Sequence, residues 1–276
     1  MDYLWTILLG ALQGATEFLP VSSSGHLATG QILLKKFGFA GSLFDQPLLF
    51  EIMLHLATLL AVVLFYRRDI LQIFLGMIRI FPAFFKRQFF LHLHGDDKSN
   101  TFAALVVGTI PTGIIGYLMA DITETISRST TTLSFLFMAC ACVLFAGKWW
   151  VGGSKRMTLK AAFLIGIIQG IAVLPGISRS GVTIVCALAL GIEREEAARF
   201  SFLLSIPAIL GAAVLKLDIN SLISGGHTSA FIFGTAAAFI VGLVALLFLV
   251  RLVKAGRMWL FAPYVASVGL ALLLFI

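Results

Sequence analysis

The sequence predicts an all-α, polytopic membrane protein with six full spans and two re-entrant helix-break-helix hairpins. These form an inverted-topology repeat within one integral membrane domain, residues 1–276. Three observations carry that prediction: a composition too apolar for water, six runs of spanning length, and two serine-rich breaks that echo each other.

Of the 276 residues, 59% are hydrophobic and 12% charged, against about 45–50% and about 25% in an ordinary soluble domain. One water-soluble core cannot hide that surplus, so the bilayer is the expected solvent. Six runs, 48–66, 102–120, 133–151, 197–215, 229–250 and 258–276, approach the ~20 residues that a hydrocarbon layer of ~30 Å requires. Helices are the expected form, because lipid offers the backbone no hydrogen-bond partners. No Lys or Arg precedes Lys35, so the basic start of a cleaved signal peptide is missing and the N-terminus is expected to belong to the mature fold. Cys140, Cys142 and Cys186 lie in apolar runs and read as small hydrophobes, not as a disulfide frame or a metal site.

A net charge of +7 raises nucleic acid as a partner, but the basic residues fall at the ends of spans and form no single patch. With 67–100 taken as cytoplasmic, all of the 20 basic residues lie inside except Lys35, Lys36, Arg128, Lys216 and Arg179. The positive-inside rule then orients the chain with both termini outside.

The segment Gly10 to Gly25 overlays Gly166 to Gly181. Gln13-Gly14 matches Gln169-Gly170, Leu19-Pro20 matches Leu174-Pro175 with a one-residue offset, and Ser22-Ser23-Ser24-Gly25 matches Ser178-Arg179-Ser180-Gly181. The flanking apolar arms, 3–16 with 27–34 and 161–174 with 182–192, are too short to cross alone and suit re-entrant segments. Three spans follow each hairpin. Three is odd, so the second copy starts from the opposite face. The halves 1–151 and 152–276 are therefore expected to be inverted repeats whose breaks meet near the midplane. The leftover segment 70–94 mixes Phe and Leu with Arg79, Lys86 and Arg87 and reads equally as a surface amphipathic helix or a loop.

Ionisable groups at membrane depth cost about 2.5–3.5 kcal/mol each and mark functional sites. Glu17, His26 and Arg179 lie in or beside the breaks; the competing reading is a Glu17–Arg179 pair that only locks the hairpins together. Gln13 and Glu17 are four apart, on one helical face, with oxygens suited to a hard divalent cation, Mg²⁺ or Ca²⁺. Ser22, Ser23 and Ser24 with His26 offer a nucleophile beside an acid/base. Arg179 offers a planar clamp for phosphate, flanked by the hydroxyls of Ser178, Ser180 and Thr183. Both breaks open helices whose N-terminal N–H groups favour anions. A diphosphate fits this set; a neutral solute does not.

Weaker signals surround these. His92, His94, Asp96 and Asp97 read as a solvated loop. Glu51 and His55, four apart in a span, either reach the site or pair with each other. Glu193-Arg194-Glu195-Glu196 with Arg199 reads as a charged helix start, with Glu195 and Arg199 paired at i,i+4.

On these motifs the chain resembles the undecaprenyl-diphosphate phosphatase family, the bacitracin-resistance proteins. That family's pattern is Glu/Gln-x-x-x-Glu, then Leu-Pro-Val-Ser-Ser-x-Gly-His, then Pro-Gly-x-Ser-Arg-Ser-x-x-Thr. Here it reads Gln13 to Glu17, Leu19 to His26 and Pro175 to Thr183, with Phe50-Glu51 and Arg67-Arg68 alongside. The resemblance implies a multi-pass bacterial inner-membrane enzyme that hydrolyses undecaprenyl diphosphate to undecaprenyl phosphate and phosphate, recycling the carrier lipid for peptidoglycan and envelope synthesis. It also implies Gln13 and Glu17 at a divalent cation, Ser23 as nucleophile, His26 as acid/base, Arg179 as phosphate clamp, and the remaining hydroxyls, Ser22, Ser24, Ser178, Ser180 and Thr183, at the substrate. Gln13 stands where some members carry Glu, which places more of the burden on Glu17. Attack by Ser23 and attack by a water held at Glu17 both stay open. A lipid flippase is the competing function, since inverted repeats with broken helices are also a transporter's plan. A second lipid-phosphatase motif is excluded: no Arg-Pro dipeptide occurs, and no histidine lies between Arg179 and His227. The expected partners are the lipid substrate and the bilayer, with a homodimer as the alternative to a monomer, and no nucleic acid.

Overall fold

The computed structural model describes residues 2–36, 47–85, 97–216 and 228–275. Among these the chain is helical, without a β-strand. In order the helices are α1 (Asp2–Phe18), α2 (Ser23–Lys36), α3 (Pro47–Phe65), α4 (Arg67–Phe85), α5 (Asp97–Leu118), α6 (Ala120–Ser127), α7 (Thr130–Ala146), α8 (Leu159–Ile171), α9 (Arg179–Ala189), α10 (Arg194–Lys216) and α11 (Thr228–Lys254). A 3₁₀ turn, Met258–Phe261, then leads into α12 (Ala262–Phe275).

Each expected apolar run overlaps a helix, although the run 133–151 leaves helix after Ala146 and the run 258–276 opens in a 3₁₀ turn; each expected hairpin is a pair of short helices across a break. Within the described residues α5, α10 and α11 are long and apolar enough to cross a membrane unaided. Two further apolar units are bent: α4 leaves α3 at 81°, and α7 leaves α6 at 108°. The segment 70–94 thus resolves toward helix as far as Phe85, and residues 86–94 lie outside the described part. The short α6 carries Asp121 and Glu124 and has no apolar run to announce it. It ends at Arg128, and Ser129 caps α7 by accepting the Thr132 N–H at 3.3 Å.

Outward faces are apolar, with Leu60, Ile110, Ile114, Val214, Ile240 and Val244 all exposed. Contiguous apolar surface of this kind is a liability in water and ordinary in lipid; the protein is a multi-pass membrane protein.

Helix partners are exchanged between the halves. α1 packs most extensively on α11, and α8 on α5; α7 pairs with α12, and α3 with both α10 and α11. Glycines make the two hairpin contacts possible. A Cβ on Gly10 would stand 2.0 Å from the Gly234 carbonyl oxygen, and one on Gly166 only 2.2 Å from that of Gly108. One turn on, a Cβ on Gly14 would stand 2.5 Å from the Ala238 carbonyl oxygen of α11, and one on Gly170 would stand 2.7 Å from the Ile115 side chain of α5. Small residues at four-residue spacing are how helices in lipid approach closely enough for backbone packing to replace a hydrophobic drive. The core gathers around the hairpin tips: Phe18, Phe137, Phe200, Phe202 and Ile184 are fully buried, with Phe18 edge-on to Phe202 at 5.7 Å.

Candidate active site

The two breaks cap each other. After α1 the chain turns through Pro20, and Val21 N–H bonds the Leu19 carbonyl at 2.7 Å. Ser22 then takes φ 71°, unique for a non-glycine among the described residues. Such a conformation costs about 1–3 kcal/mol unless its surroundings hold it. Here they do. Ser22 Oγ accepts from Gly25 N–H at 3.3 Å and from Gly176 N–H at 3.0 Å across the interface, while its carbonyl accepts from His26 N–H at 3.1 Å. On the other side Gly176 has φ 92°, which glycine alone adopts freely. Ser178 caps α9 by accepting from Gly181 N–H at 3.2 Å, and donates its own N–H to Cys140 Sγ at 3.3 Å. Ser180 Oγ completes the reciprocity, donating at 2.8 Å to the Phe18 carbonyl at the end of α1.

Glu17 lies where the breaks meet. Its side chain is 4% exposed. Oε1 accepts from the Arg179 guanidinium, and Oε2 accepts from Gln13 Nε2 at 2.8 Å and Ser23 Oγ at 2.7 Å. Ser23 begins α2 and Arg179 begins α9, so the carboxylate also stands at two positive helix ends. Glu17 thereby occupies a pocket of donors built for an anion. The hydrogen bond from Ser23 places its proton on the carboxylate side and leaves the oxygen lone pairs available for attack.

His55 joins this cluster from α3. Its Nδ1 is 3.4 Å from Glu17 Oε2 and 3.1 Å from Gln13 Nε2, and its Nε2 is 3.8 Å from Glu51 Oε1. Of the two readings open for Glu51 and His55, the geometry contains both: His55 stands between Glu51 and the site. Gln13 Oε1 is buried without a partner among the described residues.

The remaining site residues separate into two groups. His26 is buried, with Nδ1 2.8 Å from the Ser22 carbonyl and Nε2 2.8 Å from the Tyr264 hydroxyl, so neither nitrogen contacts Ser23. Ser24 is half-buried at the start of α2. Ser178, Ser180 and Thr183 are all buried and bonded within the protein; Thr183 Oγ1 meets Ser201 Oγ at 2.5 Å and donates to the Arg179 carbonyl at 2.7 Å. In this arrangement these hydroxyls fasten the start of α9, and with it Arg179, against its neighbours. Tyr264, Ser201 and Cys140 reach the breaks with no mark in the sequence beyond their residue type. Away from the site, Arg199 does not pair with Glu195. It bonds Glu196 at 2.6 Å and Asp69 of α4 at 3.0 Å, while Glu195 reaches Lys254 at 2.9 Å, because the Asp69 carboxylate draws the guanidinium toward α4. Of the weak loop cluster, residues 92–96 lie outside the described part.

Among the described residues no group of three or more His, Cys, Asp or Glu is placed to hold a metal ion. The residues present are compatible with a cation held in the manner of Mg²⁺, through one carboxylate plus substrate phosphates: Glu17 would supply the carboxylate, and Gln13 Oε1, buried without a partner among the described residues, would supply a second hard oxygen.

Residues 6–271 match the family described as bacitracin resistance protein BacA. An undecaprenyl-diphosphatase of Desulforapulum autotrophicum is 40% identical over 274 residues, covering 98% of this chain and 97% of its own. One from Methanosphaera stadtmanae is 38% identical over 280 residues, covering 98% and 96%, and one from Korarchaeum cryptofilum 36% over 273 residues, covering 99% of each. The matched span holds both breaks and every residue around Glu17, so the chain belongs to the bacitracin resistance protein BacA family.

Proposed function

We propose that the protein hydrolyses undecaprenyl diphosphate to undecaprenyl phosphate and inorganic phosphate, returning carrier lipid to peptidoglycan and envelope synthesis. The observation that carries this reading is the convergence of Glu17, Ser23 and Arg179 at paired helix N-termini, in a chain that matches undecaprenyl-diphosphatases from end to end.

The diphosphate takes over the donors that Glu17 now engages. Arg179 turns from the carboxylate to the terminal phosphate, where a guanidinium binds two oxygens at once. Ser23 Oγ attacks the terminal phosphorus, its proton passes to Glu17 Oε2, and the bond from that phosphorus to the bridging oxygen breaks. Undecaprenyl phosphate leaves with the bridging oxygen. Water then attacks the phosphoserine and gives a proton to the site, which frees inorganic phosphate and restores Ser23. Each turnover consumes one water. Mg²⁺ or Ca²⁺, held by Glu17 and Gln13 Oε1, would neutralise charge on the diphosphate. His26, one turn along α2 from Ser23, is the second acid/base. The 2.7 Å Ser23–Glu17 bond favours the phosphoserine route over direct attack by water.

The architecture proposed with this function has six spans and two re-entrant hairpins in a bacterial inner membrane, both termini outside, with 1–151 and 152–276 as inverted repeats. The exchanged partners support it, since α1 on α11 and α8 on α5 are the same contact made once by each half, down to the glycines. The same exchange favours a second reading, lipid translocation. Phosphate release from a polyprenyl diphosphate by pure protein in detergent, where no sides exist, supports hydrolysis. Lipid movement across vesicles without phosphate release would replace it.

A further inference from the structure

The hydrogen bonds of His26 leave its ring a single arrangement. Nδ1 faces the Ser22 carbonyl at 2.8 Å; a carbonyl only accepts, so Nδ1 carries the proton and Nε2 the lone pair. Nε2 meets the Tyr264 hydroxyl at 2.8 Å, which therefore donates. Tyr264 lies parallel to the imidazole, 6° between planes with centroids 5.7 Å apart, and Phe137 closes another side edge-on at 5.5 Å. The ring cannot turn toward Ser23 without giving up both bonds. Tyr264 belongs to α12, which packs on α7, and α7 carries both Phe137 and the Cys140 that accepts from Ser178 N–H. The α7–α12 pair therefore backs the imidazole and the second break together. His26 is buried, whereas Tyr264 is 49% exposed, so the phenol is the member of the pair that meets the surroundings.

We propose that Tyr264 is a positioning residue for the hydrolysis: the Ser22 carbonyl sets the tautomer of His26, and the Tyr264 hydroxyl fixes the orientation of the ring by holding Nε2, the nitrogen left to take up a proton. The proposal rests on His26 acting as acid/base in the reading above. Without the phenolic donor the ring keeps its Nδ1–H bond to the Ser22 carbonyl but loses the contact that fixes the direction of Nε2, and part of the population turns that nitrogen away. A hydroxyl in this role affects turnover more than affinity.

Tyr264→Phe tests this, because it keeps the aromatic packing and removes one oxygen. Phosphate release in detergent is expected to show kcat lowered about tenfold with KM within about twofold, at an unchanged melting temperature. The loss is expected to vanish in a His26→Gln background, since both substitutions act on one function. A separate readout needs no turnover. The chain has 5 histidines, few enough to assign His26 in ¹⁵N-histidine spectra by its disappearance in His26→Gln. The native signal is expected to be an Nδ1–H tautomer with a hydrogen-bonded Nε2, and that of Tyr264→Phe to keep the tautomer with the Nε2 resonance shifted by loss of that bond. An unaltered His26 signal in Tyr264→Phe overturns the proposal, as does a Tyr264→Phe loss that adds in full to that of His26→Gln. If His26→Gln turns over normally while the Nε2 signal still depends on Tyr264, the acid/base reading of His26 fails, and the role proposed for Tyr264 in the hydrolysis is overturned with it.

Discussion

Replacing Glu17 by Gln keeps the outline of the side chain and removes its charge. The native carboxylate accepts from Arg179, from Gln13 Nε2 at 2.8 Å and from Ser23 Oγ at 2.7 Å. An amide has one acceptor oxygen. Turned toward Arg179, it sets its NH₂ against Gln13 Nε2 and Ser23; turned the other way, it sets NH₂ against the guanidinium. At least one buried donor loses its acceptor, at about 1–3 kcal/mol, and Arg179 loses its counter-ion. Breaking one side of a buried pair costs about 3–5 kcal/mol, and the 17% exposure of the Arg179 side chain places this case at the lower end. The chemical loss is separate: without a base for Ser23, general-base catalysis worth about 10²–10⁴ disappears. Glu17→Gln is therefore expected to lower kcat/KM about 10³-fold, about 4 kcal/mol of transition-state stabilisation, and to lower the melting temperature. Phosphate release in detergent and thermal unfolding read the two effects apart. Glu17→Leu combined with Arg179→Met removes both charges and is expected to recover much of the stability while staying inactive. Turnover of Glu17→Gln within about threefold of native would refute the base assignment. A double variant that regained activity with stability would leave the pair as a lock between hairpins and nothing more.

Ser23→Ala is expected to lose at least about 10²-fold in kcat and to trap no radiolabelled phosphate on the protein; retention of most activity would select direct attack by water. Chelation is expected to abolish phosphate release and added Mg²⁺ or Ca²⁺ to restore it, with Gln13→Ala raising the cation concentration required; full activity after exhaustive chelation removes the cation. Gly166→Ala sets a methyl 2.2 Å from the Gly108 carbonyl oxygen, so α8 must lift from α5, at about 1–3 kcal/mol or more, read as a lower melting temperature. Gly113→Ala in α5 meets nothing within 4 Å and is expected to be neutral or to stabilise by up to about 1 kcal/mol.

Periodicity and length found the long elements, because lipid forces the backbone into helices wherever about twenty apolar residues occur. The run expected at 197–215 is Arg194–Lys216, and that at 229–250 is Thr228–Lys254. The start of α10 is charged and lies outside the apolar run, but its charge pattern reads as a helix start, and the helix begins at Arg194. The Gly-xxx-Gly pairs were visible as matching positions, but not as contacts, because Gly234 and Gly108 lie far away in the chain. At the site, residue type was legible and direction was not. Ser178, Ser180 and Thr183 carry the hydroxyls that a phosphate wants, yet they face Phe18, Arg179 and Ser201 instead. For His55 the sequence left two readings open, reaching the site or pairing with Glu51 one turn away, and only the packing of α3 beside α1 brings it to Glu17. Tyr264 sits in an apolar tail where a tyrosine is unremarkable until α12 folds back on α7.

The exchange of partners between halves also sets an order of events during synthesis. α1 leaves the ribosome first, but the helix against which it packs, α11, ends at Lys254 of 276 residues. Arg179 likewise arrives more than half the chain later than Glu17. Until then the young hairpin holds an acidic group at membrane depth without its counter-ion, a state worth about 3 kcal/mol of discomfort. The unfinished chain has Ser23 but neither the clamp nor Tyr264. On the roles proposed for Arg179 and Tyr264, a nascent or truncated protein is expected to be inert toward its lipid until the last two helices have docked.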